Sequence, residues 1–353
     1  MACQLANGMS DRGHCVRVIA VEKTVAPSVP LNEGVEVFYL NSLLWRVFFI
    51  GKVLAFNLAY YRVPADIVLA FGEWPNSIAP FSLGAPVVVS ERNEKTFINA
   101  SSLYGVSFTT ALMARVAYRQ AAAVIAVSNE VAHSVRKAVS VRNGQVVVVP
   151  NGLDLAQVDK GSKEPVVDPF FSHTDDVIFL SVGRLHRQKN VGMLLRCFAE
   201  VVIGKKCRLG IVGDGPERAY LIHLALELGL ERKVKFFGYA QNPLKFMRKA
   251  DCVVSSSDYE GFSNVLLESI ACGTPIVAPN CSGVSHILNG CDPEVGKVYK
   301  SSCSLSLVTS LMRQEKKSET VSDACVSRAC EFSIDKVVQQ YIHTLDKVLA
   351  STR

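Results

Sequence analysis

Several patterns that would identify other classes of protein are missing from this sequence. Its 353 residues include 11 cysteines, but no CxxC pair and no Cys/His spacing typical of a zinc site. The net charge of +6 is spread along the chain, without a basic tail or interleaved aromatic residues, so nucleic acid is not an expected partner. We therefore predict a globular, cytoplasmic protein whose cysteines are reduced and pack as small core residues.

Long uncharged apolar runs are also absent. The most apolar stretch, 43–61, contains Arg46, Lys52 and Asn57, which do not gather at its ends, so no membrane-spanning helix is expected. The histidines form no HxxxH or HExxH pair, which argues against a catalytic metal, and no GxSxG elbow occurs. The VGDGPE loop at 212–217 lacks the GxGxxG spacing, which disfavours a nicotinamide-dependent oxidoreductase.

What the sequence does contain is an alternation of short apolar runs with helix-like segments. Continuous Val/Ile/Ala runs such as 86–90 and 123–127 are typical of strands buried on both faces of a parallel sheet. The pattern predicts an α/β protein with two Rossmann-like, doubly wound domains that face a cleft. The predicted domains are 1–168 and 175–333, with a polar linker at 159–176 and a C-terminal helix at 334–353 that returns toward the N-terminal domain.

The start of the N-terminal domain departs from this pattern. Residues 1–13 are helix-like and lead into a strand, with no strand before them. In a doubly wound domain the first strand lies in the middle of the sheet, so its absence would expose the edges of two neighbours. We expect a domain that lacks its first strand.

The stretch DYEGFSNVLLE at 258–268 is the most informative. A strand ends before it, and a helix is predicted to begin near Ser263. The free amides of a helix N-terminus, here those of Gly261, Phe262, Ser263 and Asn264, bind anions. Carboxylates accept hydrogen bonds from sugar and ribose hydroxyls, and Glu260 and Glu268 flank these amides. The stretch predicts a sugar or nucleotide pocket beside a phosphate site.

Other polar residues follow predicted strands. Gly183 permits a turn that leads to Arg184 and Lys189, two cations suited to a diphosphate, although solvated loop charges are an equal alternative. The backbone of Phe237, Gly238 and Tyr239 offers a border for a flat base, or is plain core and turn. In the first domain Arg92, Asn93 and Asn151 end strands, where they act either as caps or as ligand contacts.

Taken together, the motifs are more specific than each one alone. VGRLHRQKN (182–190), VGDGPER (212–218), VKFFGY (234–239) and DYEGFSNVLLESIACGTPIVA (258–278) occur in this order. The series resembles the donor-binding domain of the retaining glycosyltransferases of family 4, which have the GT-B fold. VVVSERN, AVIAVSNEV and VVPNGLD have counterparts in the first domain, and the SERN variant resembles bacterial enzymes that add hexose or N-acetylhexosamine to a lipid-linked saccharide.

The resemblance implies roles for individual residues. It implies that Arg184, Lys189 and the amides of 262–264 bind the diphosphate of a UDP-sugar. Glu268 is then the ribose ligand, Glu260 faces the transferred sugar, and the backbone of 237–239 borders the base. The implied reaction uses no metal or other cofactor, because positive groups of the protein stabilise the leaving diphosphate. Many family members have a histidine at the position of Arg92, which leaves proton handling or sugar orientation open on that side.

Two alternatives stay open. A chain without its first strand and the glycine-rich loop that follows it in the family could be a catalytically silent, truncated protein that still binds a nucleotide sugar. The basic-apolar helices predicted at 43–62 and 106–120 either rest on an anionic membrane, at the inner face of the plasma membrane, or simply cover the sheet with their charges outward.

Overall fold

The chain forms two compact units, 1–152 with 334–353, and 153–333. The structure is a computed structural model, and it describes residues 1–20, 29–40, 49–93, 108–142, 144–172, 175–281, 283–292 and 294–352. All strands of the described residues pair in parallel, which confirms the predicted α/β class. The predicted boundary near residue 168 lies inside the second unit.

The first unit contains six of the described strands, in two sheets. One sheet pairs β1 (Arg17–Ala20) with β2 (Glu36–Tyr39), and the other has the order β3 (Val68–Phe71), β4 (Val87–Glu91), β5 (Ala123–Ala126), β6 (Val146–Val148). The helices are α1 (Ala2–Ser10), α2 (Phe49–Arg62), α3 (Glu73–Ile78), α4 (Phe108–Gln120), α5 (Asn129–Ala138) and α14 (Ile334–Thr352). β4 and β5 are buried throughout, because their Val, Ala and Ile side chains are covered on both faces.

A groove of about 1210 Å³ lies within the first unit. Its lining comes from β1, β3, α1, α2, α3 and α14. Among the described strands, β1 pairs only with β2, and β3 pairs only with β4, so each has one edge without a described partner. The side chains of Val18, Ile19, Val68 and Leu69 are correspondingly only half-buried, although their types suit a sheet interior.

Two helix predictions in this unit extend beyond the described residues. The helix predicted at 43–62 is described from Phe49 onward, and the one predicted at 106–120 from Phe108 onward. Residues 41–48 and 94–107 lie outside the described part. The short helix α3 was not predicted, because its sequence EWPNSI contains a proline and has no apolar periodicity.

The second unit is a six-stranded parallel sheet. Its strands are β7 (Val177–Val182), β8 (Cys207–Val212), β9 (Val234–Gly238), β10 (Cys252–Val254), β11 (Ile276–Pro279) and β12 (Gly296–Tyr299), in the order β12-β11-β10-β7-β8-β9. The helices are α6 (Leu155–Ser162), α7 (Val191–Gly204), α8 (Arg218–Glu227), α9 (Leu244–Lys249), α10 (Asn264–Ala271), α11 (Val284–Leu288), α12 (Ser304–Met312) and α13 (Glu319–Ala329). This order is that of a doubly wound fold, which reverses direction between β7 and β10.

Helix α7 shows why this unit packs well. Asn190 caps its N-terminus by accepting a hydrogen bond from the amide of Met193. Leu194, Phe198 and Val201 recur at helical spacing and are fully buried, and the Phe198 ring packs edge-on against Phe179 of β7 at 6.2 Å. The apolar stripe of the helix therefore fixes it against the sheet.

The predicted linker at 159–176 is not a loose connection. Asn242 donates a hydrogen bond of 2.9 Å to the carbonyl of Gly161, and Lys235 donates to both carboxylate oxygens of Asp168 at 2.8 Å. Phe170 is buried beside Phe237, with ring centroids 5.4 Å apart. Its polar composition concealed the aromatic side chains that hold it to the second unit.

All eleven cysteines are free thiols. Five are buried, namely Cys197, Cys207, Cys252, Cys272 and Cys325. Burial raises the pKa of Cys272 and Cys325 to about 12, so these two thiols remain protonated. The prediction of small core residues holds for these five, whereas Cys15 and Cys330 are exposed.

Helix α2 carries an apolar stripe on its outer face. Ile50, Leu54, Leu58 and Tyr61 fall on one side of the helix and are 73%, 52%, 56% and 86% exposed. Lys52 is only half-buried and Arg62 is exposed, so the outer face of α2 combines this apolar stripe with charge, and both alternatives for the helix stay predictions. Of the helices in the described ranges, none has both the length and the apolar character needed to span a bilayer.

Candidate functional site

A pocket opens where the strand order of the second unit reverses. The carboxyl ends of β7 and β10 lie side by side there, and the chain leaves them in different directions. Open α/β sheets bind ligands at such a switch point. The lining includes residues 181–185 and 189, from the end of β7 and the loop after it. It also includes residues 254–257, 260 and 263, from the end of β10 and the loop after it.

Lys189 and Glu260 form an ion pair in this pocket. The Lys189 ammonium donates a hydrogen bond to Glu260 Oε1, and Ser257 Oγ donates to the same oxygen at 2.8 Å. The side chains are 24% and 12% exposed. The cation predicted for a diphosphate and the carboxylate predicted for a sugar are thus in direct contact.

The loop that carries Lys189 is tied to the loop that carries Glu260. Asn190 Nδ2 donates to Asp258 Oδ1 at 2.8 Å, Ser256 Oγ donates to the Lys189 carbonyl at 2.7 Å, and Gln188 Nε2 donates to the Tyr259 carbonyl at 2.8 Å. These contacts join residues about seventy positions apart in sequence. The two halves of the pocket are therefore held in a fixed arrangement before any ligand binds.

Gly183 and Gly213 let the backbone come close together at the pocket floor. Gly183 has φ +150° and donates from its amide to the Val212 carbonyl at 3.0 Å. A Cβ on Gly213 would lie 1.8 Å from the Gly183 carbonyl oxygen, so no other residue fits there without a shift. Arg184 follows Gly183, lines the pocket and is exposed.

Helix α10 begins at the same pocket. Its N-cap is Ser263, whose side chain makes no capping hydrogen bond, and the helix starts at Asn264, one residue after the predicted start. Phe262 is buried against Phe332, with ring centroids 6.3 Å apart, and Gly283 packs closely on its backbone. Residues 261–264 are thereby fixed where the positive end of the helix dipole faces the pocket.

Glu268 lies one turn further along α10. Burial raises the pKa of this carboxyl to about 7. Its side chain makes no hydrogen bond or ion pair with other described residues. The carboxylate is therefore held in poorly solvated surroundings, where a hydrogen-bond donor from a ligand would lower its free energy.

The segment 237–239 ends β9 at the carboxyl edge of the same sheet. The Phe237 ring packs among Phe170, Phe171 and Phe246, so its role is in the core, and only its backbone reaches the edge. Gly238 has φ +73°, and its carbonyl accepts the Gly213 amide at 2.7 Å. Tyr239 is exposed. The arrangement leaves one aromatic side chain available at this edge.

The three predicted residues of the first unit form a separate group. The Arg92 guanidinium donates to Asn151 Oδ1 and, at 3.3 Å, to the Tyr341 hydroxyl. Asn151 is buried, and Asn93 is exposed next to Arg92. Arg92 thus leaves the end of β4 with its guanidinium held by two partners of its own unit.

Some residues of these sites were not predicted. Ser257 donates to Glu260, and Asn190 donates to Asp258 of the same loop. In the first unit, Glu91 accepts a hydrogen bond from the backbone amide of Arg92. Ser257 lies one residue before the motif at 258–268. The only signal in the sequence was a serine directly before an acidic loop, since its burial is known only from the structure. In the described ranges no group of three or more His, Cys, Asp or Glu is arranged to hold a metal ion.

Two sequence models cover most of the chain. That of the family "Glycosyltransferase Family 4" matches residues 1–157, and that of "Glycosyl transferases group 1" matches residues 164–320. The chain belongs to the GT-B glycosyltransferase superfamily. The second of these models covers most of the second unit, in which the pocket between β7 and β10 lies.

Two curated relatives of this superfamily member are distant in sequence. An N-acetylgalactosamine-N,N'-diacetylbacillosaminyl-diphospho-undecaprenol 4-alpha-N-acetylgalactosaminyltransferase from Campylobacter jejuni is 30% identical over 56% of this chain and 53% of its own length. The chain thus spans about half the length of that relative. N-acetyl-alpha-D-glucosaminyl L-malate synthase from Bacillus anthracis is 24% identical over 96% of this chain and 90% of its own length.

Solved structures share the fold. The Anabaena protein HepE in complex with UDP superposes with a TM-score of 0.73 at 18% identity, covering 95% of this chain and all of its own. Sucrose-phosphate synthase from Thermosynechococcus elongatus gives 0.77 at 18% identity, covering 99% of this chain and 92% of its own. At this identity the likeness establishes the GT-B fold and nothing finer.

Proposed function

We propose that this protein is a retaining glycosyltransferase that moves a hexose or N-acetylhexosamine from a UDP-sugar to a saccharide acceptor. The observation that carries the proposal is the pocket between β7 and β10, where Arg184, Lys189, Glu260 and the start of α10 meet. Two cations, helix amides and a hydroxyl-binding carboxylate match the chemistry of a nucleotide sugar. The Campylobacter relative is an N-acetylgalactosaminyltransferase by name and HepE was solved in complex with UDP, which supports a UDP-N-acetylhexosamine or UDP-hexose donor.

In this proposal the charges act on the leaving group. The bond between the anomeric carbon and the β-phosphate oxygen breaks, and the acceptor oxygen bonds to the same carbon on the face from which the diphosphate leaves. Arg184, Lys189 and the amides of 262–264 stabilise the negative charge that develops on the diphosphate. The acceptor proton passes to a departing phosphate oxygen, so that UDP and the glycoside are the only products.

The remaining site residues bind and orient the substrates. We assign Glu260 to the hydroxyls of the transferred sugar, Glu268 to the ribose, and the backbone of 237–239 to the base. Arg92, Asn93 and Asn151 are assigned to proton handling or sugar orientation on the acceptor side. No metal cofactor enters the proposal, since the protein's own cations and amides face the diphosphate, and transfer should persist in EDTA.

The first experiment screens UDP-sugars with the full chain. Release of UDP from one of them, faster with a saccharide acceptor than with water alone, would support the proposal, and an anomeric product assignment by NMR would test retention. UDP binding in calorimetry without turnover of any donor would instead support a catalytically silent protein that binds a nucleotide sugar. Absence of UDP binding would refute both.

We also propose that the acceptor is lipid-linked and that α2 rests on the membrane that carries it. Exposed apolar side chains at 50, 54, 58 and 61 form a continuous stripe, and Leu83 lies beside it because its amide donates to Asn57 of α2 at 3.0 Å. Contiguous exposed apolar surface of this kind marks interaction sites. The net charge of +6 favours an anionic lipid surface.

Co-sedimentation with vesicles tests this surface. Wild-type protein should bind vesicles that contain phosphatidylglycerol. The double variant Ile50→Gln, Leu58→Gln should bind at least about 10-fold more weakly, because it loses two apolar side chains that the lipid would bury. Ile203→Gln, which alters an apolar residue of the second unit that is 88% exposed, is the control. Equal sedimentation of all three proteins would refute the membrane surface.

A further inference from the structure

The turn that follows β4 is built on a buried carboxylate. Glu91 is 4% exposed, and its Oε1 accepts hydrogen bonds from the backbone amides of Arg92 and Asn93, both at 3.1 Å. These are charge-assisted bonds, which are stronger than those between neutral groups. One side chain thus fixes the backbone of the two residues assigned to the acceptor side.

The second oxygen of Glu91 is bound by Tyr118, which Asn76 holds in turn from another helix. The Tyr118 hydroxyl of α4 donates to Oε2, and Asn76 of α3 donates from Nδ2 to the Tyr118 hydroxyl at 3.3 Å and to the Ser90 carbonyl at 2.9 Å. Tyr118 and Asn76 are both almost fully buried. Burial, followed by the charge of Glu91, raises the pKa of the Tyr118 phenol well above its ordinary value, so the hydroxyl remains a donor.

The side chains on either side of Glu91 point to the opposite face of the strand. Ser90 Oγ lies 3.0 Å from the Tyr341 hydroxyl of α14, and Arg92 donates to that same hydroxyl and to Asn151. The turn is therefore held from both faces of the sheet. Glu91 restrains its backbone, while Tyr341 and Asn151 restrain the guanidinium.

A buried carboxylate at the end of a strand has a cost in folding free energy. Burial of a charge costs several kcal/mol unless it is hydrogen-bonded, and an apolar residue at this position would avoid that cost. Val87 to Val89, earlier in the same strand, are all valine. The hydrogen bonds of Glu91 to Tyr118 and to the amides of Arg92 and Asn93 hold the turn, which an apolar side chain would not do.

We propose that Glu91 is a positioning residue, which holds the Arg92–Asn93 backbone so that both side chains meet the substrate in a single arrangement. Tyr118 and Asn76 support it from the helices. This inference rests on the proposed function, because it takes Arg92 and Asn93 as substrate contacts. Glu91 itself touches only the protein.

The test compares Glu91→Gln with Tyr118→Phe, and uses Thr344→Val as a control that removes a buried hydroxyl elsewhere in the first unit. Glu91→Gln should lower kcat about 10-fold to 100-fold with donor KM within about 2-fold, since a small misplacement of a substrate contact can cost 100-fold. Tyr118→Phe should give a smaller loss, and Thr344→Val none. In an Arg92→Ala background Glu91→Gln should add less than about 2-fold, because both act through one turn.

Hydrogen exchange separates this inference from the proposed function. The amides of Arg92 and Asn93 should exchange at least about 10-fold faster in Glu91→Gln, while those of β5 stay unchanged. This readout needs no turnover, so it stands even if no donor is used. Unchanged exchange at 92 and 93, or full additivity with Arg92→Ala, would overturn the inference. If Glu91→Gln does not fold, Tyr118→Phe carries both measurements.

Discussion

Lys189 donates a hydrogen bond to Glu260, and both line the pocket at the switch point of the second unit. A cation that is already paired is a weaker ligand for a diphosphate than a free one. Binding of the donor would therefore redirect Lys189 from the carboxylate to the phosphate, and Glu260 would exchange an ammonium for sugar hydroxyls. This relationship leads to opposite expectations for the two partners.

Lys189→Ala should weaken UDP binding by about 10-fold to 100-fold, because it removes a charge-assisted contact worth about 1.5–3 kcal/mol. Calorimetry measures the affinity. Arg187→Ala, in the same turn but with an exposed side chain outside the pocket lining, is the control. An unchanged UDP affinity in Lys189→Ala would contradict the assignment.

Glu260→Ala should lower sugar transfer by about 100-fold and leave UDP binding equal to or tighter than wild type. The released Lys189 is free to bind phosphate, whereas the sugar loses its carboxylate. The comparison needs Kd for UDP and kcat for the best donor. A loss of UDP affinity as large as the loss in kcat would argue that Glu260 serves only to hold the loops together.

The stability of the second unit should depend on Glu268 between pH 5 and pH 8. Burial raises the pKa from 4.5 to about 7, so the protonated carboxyl is favoured in the folded state. Its contribution to the free energy of unfolding is fully present below about pH 4.5 and is lost as the pH rises through about 7. Glu268→Gln should thus be more stable than wild type at pH 8, by up to about 3 kcal/mol, and nearly equal at pH 5.

Urea unfolding at the two pH values measures this difference, with Glu227→Gln, an exposed substitution on α8, as control. UDP affinity offers a second readout. If the ionised carboxylate accepts the ribose hydroxyls, the affinity ratio of wild type to Glu268→Gln should rise from pH 6 to pH 8. A ratio that does not change with pH would count against the ribose assignment.

Gly213→Ala should destabilise the second unit by about 1–3 kcal/mol and abolish tight UDP binding. The added Cβ would lie 1.8 Å from the Gly183 carbonyl oxygen and displace the turn that carries Arg184. Gly229→Ala is the matched control, since Gly229 also has positive φ but its Cβ would meet nothing within 4 Å. It should cost about 1–2 kcal/mol and leave UDP affinity unchanged. Equal UDP affinity in both variants would refute the close-approach argument.

Local patterns were sufficient to predict most of the elements. The runs predicted as strands at 86–90 and 123–127 form β4 and β5 within one residue of those bounds, because an unbroken apolar run leaves little choice. β12 was missed, since GKVY is short and half polar. Helix α6 was missed because its second half lies in the predicted polar linker; Asp154 caps it and Asn242 donates to its Gly161 carbonyl.

For the site, sequence predicted residue types better than contacts. A glycine before two cations was readable from the motif at 182–190, and carboxylates around a helix start from the motif at 258–268. The pairing of Lys189 with Glu260 was not, because it joins residues 71 positions apart and depends on the order of the strands. Glu91 was overlooked for a similar reason, since its partners Tyr118 and Asn76 come from separate helices.

Among the described strands, β1 and β3 each have one edge without a partner, which has a consequence for how this protein behaves at high concentration. Backbone donors and acceptors along an unpaired edge can join the strand of another molecule as readily as one of their own. Pairing of these edges between copies would link molecules through the groove of the first unit. Each linked copy would still present an edge to the next copy. Storage conditions that are harmless to the six-stranded sheet of the second unit would then promote fibrous association through the first.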